Sequence, residues 1–253
     1  MMRESTIQTI ADACLTARHV VVVTGAGLSA ESGLSTFRGP REALWSRYDP
    51  MRLATPEAFE QDPALVTRWY DWRRQAGLQA RPNAGHLALV CLERIVTASG
   101  VGFTLLTQNV DRLHHRAGSV NVYELHGSIH EWRCTVTGQS FEPPPQPFQE
   151  FPPRSPFDPR GRLRPAVVWF GEPLPAEVLR VAAEAMESCD VFFSIGTSSV
   201  VYPAAGFAEQ VIARGGLTIE VNPNETPISG RVNHAARESS GSWLPRLIAH
   251  ISL

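Results

Sequence analysis

A chain of 253 residues, 43% hydrophobic and 19% charged, can bury a large core and has the composition of a soluble globular protein. Its formal charge of −2 excludes the broad basic field of a nucleic-acid binder, and no apolar run is long enough to span a membrane. All 23 basic residues are arginine, which excludes side-chain Schiff-base catalysis and any lysine-dependent phosphate loop. Cys14, Cys91, Cys134 and Cys189 show no disulfide spacing, and the first residues carry no apolar signal segment. Both features fit a reducing cytoplasm.

Ser5 to Arg18 reads as a helix with Ile7, Ile10, Ala11, Cys14 and Leu15 on one face. Val20-Val21-Val22-Val23-Thr24 suits a strand buried on both faces of a parallel sheet. The run breaks at Gly25-Ala26-Gly27-Leu28-Ser29-Ala30. Read as G-x-G-x-x-A, this turn brings backbone N–H groups to a pyrophosphate; the pattern alone serves equally as a plain tight turn. Phe37-Arg38-Gly39 then sets an aromatic ring and a cation on a loop, where an ordinary dinucleotide-binding helix would still be running. From Gly39 to about Arg81, the short aromatic-rich pieces Ala43–Tyr48, Pro56–Gln61 and Pro63–Gln75 are punctuated by prolines and read as a helical insertion.

Asn83 to Ala98 predicts a regular helix. Gly102–Thr107 is a second buried strand running into Gln108-Asn109-Val110-Asp111, and Asn121–Leu125 a third running into His126-Gly127. Ser128 to Arg164, dense in proline, reads as a second insertion of loops and short strands. Strand character resumes over Pro165–Phe170, a helix over Pro175–Ser188, and a strand over Asp190–Ile195 that ends in Gly196-Thr197-Ser198-Ser199. Ala204–Arg214 is helical, Leu217–Val221 a strand ending at Asn222, and Trp243–Ile251 a closing helix. This alternation predicts an α/β fold, a doubly wound parallel sheet whose polar strand ends gather into one pocket. The acid that a Rossmann fingerprint needs about twenty residues past its glycines is displaced by the helical insertion, which disfavours a dehydrogenase.

Taken in order, several motifs resemble the sirtuin family of NAD-dependent protein lysine deacylases. They are Gly25-Ala26-Gly27 through Glu31-Ser32-Gly33, Thr107-Gln108-Asn109-Val110-Asp111, Leu125-His126-Gly127, Val167-Val168-Trp169-Phe170-Gly171-Glu172, Gly196-Thr197-Ser198 and Val221-Asn222. The resemblance implies a Rossmann-like NAD-binding domain over 1–39, 82–127 and 165–253, with 40–81 and 128–164 forming a small domain. An isolated histidine at a strand end is most often structural, but by resemblance His126 is the general base. It deprotonates the ribose hydroxyl after the acyl oxygen has attacked C1′ of NAD and expelled nicotinamide. Asn109 and Asp111, turn formers on a plain reading, would line the nicotinamide pocket, with Asn109 positioning the ribose or a water. Gln108 would meet the nicotinamide ribose, Phe37 would shield C1′ from water, and Arg38 would lie near the phosphates. Gly25, Ala26, Gly27 and Glu31 belong to the cofactor motif. Gly196, Thr197, Ser198 and Asn222 would hold phosphate and adenine ribose, and Ser240 falls in the adenine loop. His114, His115 and His130 read as structural or exposed.

Two features concern substrate and metal. Tyr70 and Arg73, three apart, share a helix face. The plain reading is a core aromatic beside a solvated arginine; the resemblance is to the Tyr-x-x-Arg signature of class III sirtuins, in which these residues bind the carboxylate of a succinyl or malonyl group. A guanidinium fork and a phenol suit that carboxylate. Val168, Trp169, Phe170, Gly171 and Glu172 fit the same class as substrate-contacting residues. The family's zinc module carries two Cys-x-x-Cys pairs, and here their places hold Cys134-Thr135-Val136-Thr137 and Ser155-Pro156-Phe157-Asp158. One thiol cannot build that site, so no zinc is expected; a Cys134–His130–Asp158 set is the alternative. The resemblance thus implies a monomeric, cytoplasmic enzyme that consumes NAD and removes acidic acyl groups from protein lysines, acetyl secondarily. The alternatives are a mono-ADP-ribosyltransferase and a non-catalytic NAD or ADP-ribose sensor.

Overall fold

The four valines of the first strand divide by parity between two cores. Val20 and Val22 join Ile7, Ile10, Leu89, Leu92, Phe193 and Trp243 on one face of the sheet, and Val21 and Val23 join Met186, Phe192, Phe207 and Val211 on the other. This is the burial that a continuous apolar run predicts for a central parallel strand. The computed structural model describes residues 2–36, 44 and 48–251. Its strands are β1 His19–Thr24, β2 Gly102–Thr107, β3 Val122–Glu124, β4 Gly127–Cys134, β5 Ser140–Phe141, β6 Leu163–Val167, β7 Val191–Ile195, β8 Leu217–Val221 and β9 His234–Ala236. Its helices are α1 Glu4–Thr16, α2 Ala26–Ala30, α3 Pro56–Gln61, α4 Pro63–Gln79, α5 Ala84–Ala98, α6 Leu113–Ala117, α7 Ala176–Ser188, α8 Ala204–Ala213 and α9 Ser240–Ile251. The main sheet is parallel throughout, in the order β3-β2-β1-β7-β8-β9. Helices α1, α5 and α9 cover one face; α7 and α8 cover the other. No described helix is long and apolar enough to cross a membrane.

The strand expected over Pro165–Phe170 is a correction. It runs Leu163–Val167 and belongs to a second, antiparallel sheet ordered β5-β4-β6, not to the parallel one. Pro165 is tolerated because β6 is an edge strand. Beyond Val167 the backbone turns away, the Phe170 N–H to the Ala54 carbonyl (2.9 Å) and the Trp169 N–H to Glu172 (2.9 Å). The closing helix also begins earlier than its apolar pattern, at Ser240, because Glu31 accepts from the Ser240 hydroxyl and the Gly241 N–H at its first turn. The helical piece expected over 43–48 lies largely outside the described residues. Among described residues, α3, α4 and the antiparallel sheet share a third core around Val66, Trp69, Tyr70, Ile129, Trp132 and Trp169.

An ion pair holds the proline-rich segment against α4. The Arg74 guanidinium, 1% exposed, binds Asp71 (2.7 and 2.9 Å) and the carbonyls of Pro144 (2.7 Å) and Gln146 (2.8 Å). Asp71 in turn accepts the Phe148 N–H at 3.2 Å. Every nitrogen of the guanidinium and both carboxylate oxygens meet a partner, the condition under which a buried charge persists. Among the described residues every ion pair draws its cation from arginine or histidine, as with Arg246 between Glu4 and Glu238.

Two buried histidines, their rings 5.0 Å apart, lie where α5 and α6 meet the sheet. Asn83 caps α5 through the N–H groups of Gly85 and His86, while His86 Nδ1 accepts the Asn83 N–H. His114 Nε2 donates to the Thr24 hydroxyl (2.9 Å), whose own hydrogen goes to Thr107. Burial depresses both rings, His86 to about 4 and His114 well below the ordinary value. The unfolded chain binds a proton on each near pH 6.5 and the fold does not. Stability is therefore complete above pH 6.5 and is lost as pH falls toward 4, on the order of 3 kcal/mol from His86. In a ring-proton NMR titration, His86 and His114 should stay neutral at pH 5.5; either one titrating near 6.5 refutes this account.

Candidate active site

From β1 the chain runs outward through β2 and β3, then returns to β7 on the other side of β1. The turns after β1 and β7 therefore lie at the switch point where α/β sheets bind ligands. Gly25 N–H donates to the Ile195 carbonyl (3.0 Å) and Gly27 N–H to the Gly196 carbonyl (2.9 Å). A Cβ on Gly27 would lie 2.8 Å from Gly196 Cα, and Gly196 itself sits at φ +60°, so the two turns meet only as glycines.

Above them opens a cleft of about 1140 Å³. It brings together Gly25, Ala26, Gly27, Gly196, Thr197, Ser198 and Asn222 from the strand ends, Gln108, Asn109 and His126 beside them, and Tyr70, Arg73 and Val168 to Glu172 from the smaller module. Pockets for one small molecule run to roughly 1,000 Å³, so there is room for a dinucleotide and an inserted side chain together. Phe37 and Arg38 lie outside the described residues. Three expected contacts stand back from the lining. Glu31 and Ser240 are bonded to each other at the start of α9, and Asp111 is buried behind Asn109. Sequence reasoning missed Asn224, Glu225 and Thr226, which continue the loop after Asn222, and Val201 and Tyr202, which carry no motif.

The polar floor is wired in sequence. The Asn109 amide donates to the Gly25 carbonyl (3.1 Å) and the Ser29 hydroxyl (3.1 Å), and Ser29 donates to Asp111 (2.7 Å). The Gly25 carbonyl can only accept, which fixes the NH2 toward it and leaves Asn109 Oδ1 as the acceptor with capacity to spare. Burial raises the Asp111 carboxyl, opposed by the Leu113 N–H, the Ser29 hydroxyl and the Arg73 charge. At the carboxyl ends of β7 and β8, Asn222 donates to the Thr197 carbonyl (2.7 Å) and accepts the Asn224 N–H (3.0 Å).

His126 leaves β3 through a backbone clamped between strands: Leu125 N–H to the Thr107 carbonyl and Val168 N–H to the His126 carbonyl. Gly127 follows at φ +68°, its Cα so close to the Ala166 carbonyl that no side chain fits. His126 Nδ1 lies 3.1 Å from the Gln108 carbonyl, an acceptor only, so Nδ1 carries the hydrogen and Nε2 keeps its lone pair. Burial lowers the ring's pKa, and the Gln108 bond works against that shift. A neutral imidazole at neutral pH is the state that takes a proton.

Among the described residues no three His, Cys, Asp or Glu side chains group as a metal set, and Cys134, His130 and Asp158 do not converge. Cys134 Sγ instead accepts from the N–H groups of Val136 (3.4 Å) and Thr137 (3.5 Å). Burial pushes this thiol up, but bonds from Ser155 and Thr137 outweigh it and hold the value at about 7.

A doubly wound sheet with a switch-point cleft, lined by a buried neutral imidazole, defines the class of α/β enzymes that bind a dinucleotide. The description "Sir2 family" matches residues 25–203. The NAD-dependent protein deacylase 1 of Archaeoglobus fulgidus is 46% identical over 99% of this chain and 98% of its own length. The NAD-dependent protein deacylase 2 of Pyrobaculum aerophilum is 47% identical over 96% of this chain and 94% of its own. A solved complex of a Sir2 homologue with NAD superposes with a TM-score of 0.89 at 44% identity, covering 100% of this chain and 94% of that one. The chain belongs to the Sir2 family.

Proposed function

We propose that this Sir2 protein, an NAD-dependent protein lysine deacylase, removes succinyl and malonyl groups in preference to acetyl, acting as a cytoplasmic monomer and releasing nicotinamide and O-acyl-ADP-ribose. One observation carries the preference: Tyr70 and Arg73 line the same cleft as His126. The Arg73 guanidinium carbon stands 5.5 Å over the Tyr70 ring and 4.7 Å over Trp69, which fixes its plane. A planar cation and a phenol side by side suit a carboxylate; an acetyl group offers them none.

NAD supplies an anomeric carbon that the acyl oxygen attacks as nicotinamide leaves. The chain's part is to bind, orient and move one proton. Asn109 Oδ1 orients the nicotinamide half, with Asp111 holding Ser29 and hence Asn109 in place. His126 Nε2 takes the proton of the ribose hydroxyl. The two insertions act as one small domain that closes over the acyl chain, and Cys134, Thr137, Ser155 and Asp158 hold its loops without zinc.

The test is nicotinamide release with matched succinyl-, malonyl- and acetyl-lysine peptides. Arg73→Met should cut kcat/KM on the acidic acyl peptides by about 30-fold or more, the worth of a lost charge-assisted pair, and spare acetyl. A preference for acetyl that ignores Arg73 refutes the acidic-acyl assignment and keeps the family.

A further inference from the structure

The phenol of Tyr70 is not free to point where it likes. The Trp169 indole N–H lies 3.1 Å from the Tyr70 oxygen. An indole N–H is a donor only, so the phenol must accept here and its own hydrogen must go elsewhere. Tyr70 donates no hydrogen bond among the described residues, and it lines the cleft. Burial pushes its pKa up to about 12, so the hydrogen stays on the oxygen at any working pH.

Trp169 is itself held from above and behind. The Arg164 guanidinium carbon stands 3.3 Å over the indole, and its nitrogens reach Glu172 at 2.7 and 2.9 Å. The same carboxylate accepts the Trp169 backbone N–H at 2.9 Å, and Phe59 packs on the ring 5.4 Å away. Arg164 is not part of the cleft lining. The indole thus has one place to stand, and its N–H one atom to meet.

We propose that Trp169 is a positioning residue for acyl selection: by occupying the Tyr70 oxygen with its indole N–H, it turns the phenol hydrogen into the cleft, toward the carboxylate of an acidic acyl group. The role rests on the acidic-acyl reading above. Trp169 acts through Tyr70, and Arg164 with Glu172 acts through Trp169.

A double-mutant cycle tests it. The quantity read is KM for the succinyl peptide divided by KM for the acetyl peptide, in wild type, Trp169→Phe, Tyr70→Phe and the double variant. Trp169→Phe should raise that ratio about fivefold, the worth of one oriented hydrogen bond, with the corresponding kcat ratio unmoved. In the Tyr70→Phe background the same change should add nothing. An equal rise in both backgrounds, or none in wild type, overturns the proposal. A wild type indifferent to the acyl carboxylate and to Arg73 instead removes the acidic-acyl reading, and the positioning role with it. Should Trp169→Phe fold poorly, the indole 15N–1H resonance of Trp169 gives a second readout. It should shift in Tyr70→Phe and on adding succinyl peptide to wild type, and an unmoved resonance in both cases sinks the proposal.

Discussion

Replacing His126 with alanine should lower acyl-dependent turnover by about 10²- to 10⁴-fold, the usual contribution of a positioned general base. The argument is geometric before it is electrostatic. The Gln108 carbonyl fixes the tautomer with Nε2 unprotonated, and the clamped backbone on either side leaves the ring no other orientation that keeps this bond. The pH profile supplies an independent check. Because burial lowers the ring below its ordinary 6.5, the neutral base persists through pH 7, and kcat/KM should fall only on the acid side of 6.5. That limb should vanish from the residual activity of His126→Ala. A limb centred above 6.5, or one unchanged in the variant, assigns the proton transfer to another group.

Arg74→Met should cost about 3–5 kcal/mol, the penalty for stripping one partner from a buried ion pair. For a chain of this size that is a fall in Tm of about 8–15 °C. The loss is large because it is not one bond. Asp71, 2% exposed, would be left charged with only the Phe148 N–H, and the Pro144 and Gln146 carbonyls would lose their donor. Replacing both partners, Asp71→Leu with Arg74→Met, should recover part of the loss, since no orphaned charge then remains. Thermal melts of the two variants and the parent decide the matter; a single variant within about 2 °C of wild type would falsify the anchoring role.

These two residues also mark where sequence was readable. Five strands of the parallel sheet and the cleft followed from local features: valines buried on both sides, and polar residues at strand ends; the sixth, His234–Ala236, is too short to show a pattern and was not expected. What stayed hidden was set by partners far along the chain. Pro165–Phe170 reads as an apolar strand, and its pattern says nothing about which sheet it joins; the register of Leu163–Val167 with Gly127–Cys134 decides that. Glu31 reads as part of the glycine-rich motif, yet its carboxylate caps a helix 208 residues away. Arg73 and Arg74 are neighbours of identical type. One helical step of about 100° sends the first toward the cleft and the second beneath the proline loop. The Tyr70-x-x-Arg73 resemblance singles out the first, but nothing announces the burial of the second, because the proline segment that receives Arg74 is a loop without periodicity. The Trp169–Tyr70 bond is invisible for the same reason, its ends 99 residues apart.

Among the described residues the ion pairs rest on guanidinium groups, from Arg246 at the chain's closing helix to Arg74 beneath the loop, with His115 and His250 the exceptions. Activated thioesters and phosphates transfer their acyl groups to unprotonated amines, and a guanidinium, charged at every physiological pH, is a poor acceptor. A lysine in any of these bridges would be open to acylation whenever its ammonium lost its proton, and acylation would remove its charge. With no side-chain amine anywhere in the sequence, the scaffold that undoes lysine acylation offers no lysine to acylate. Its electrostatic ties hold through the chemical drift that produces its substrates.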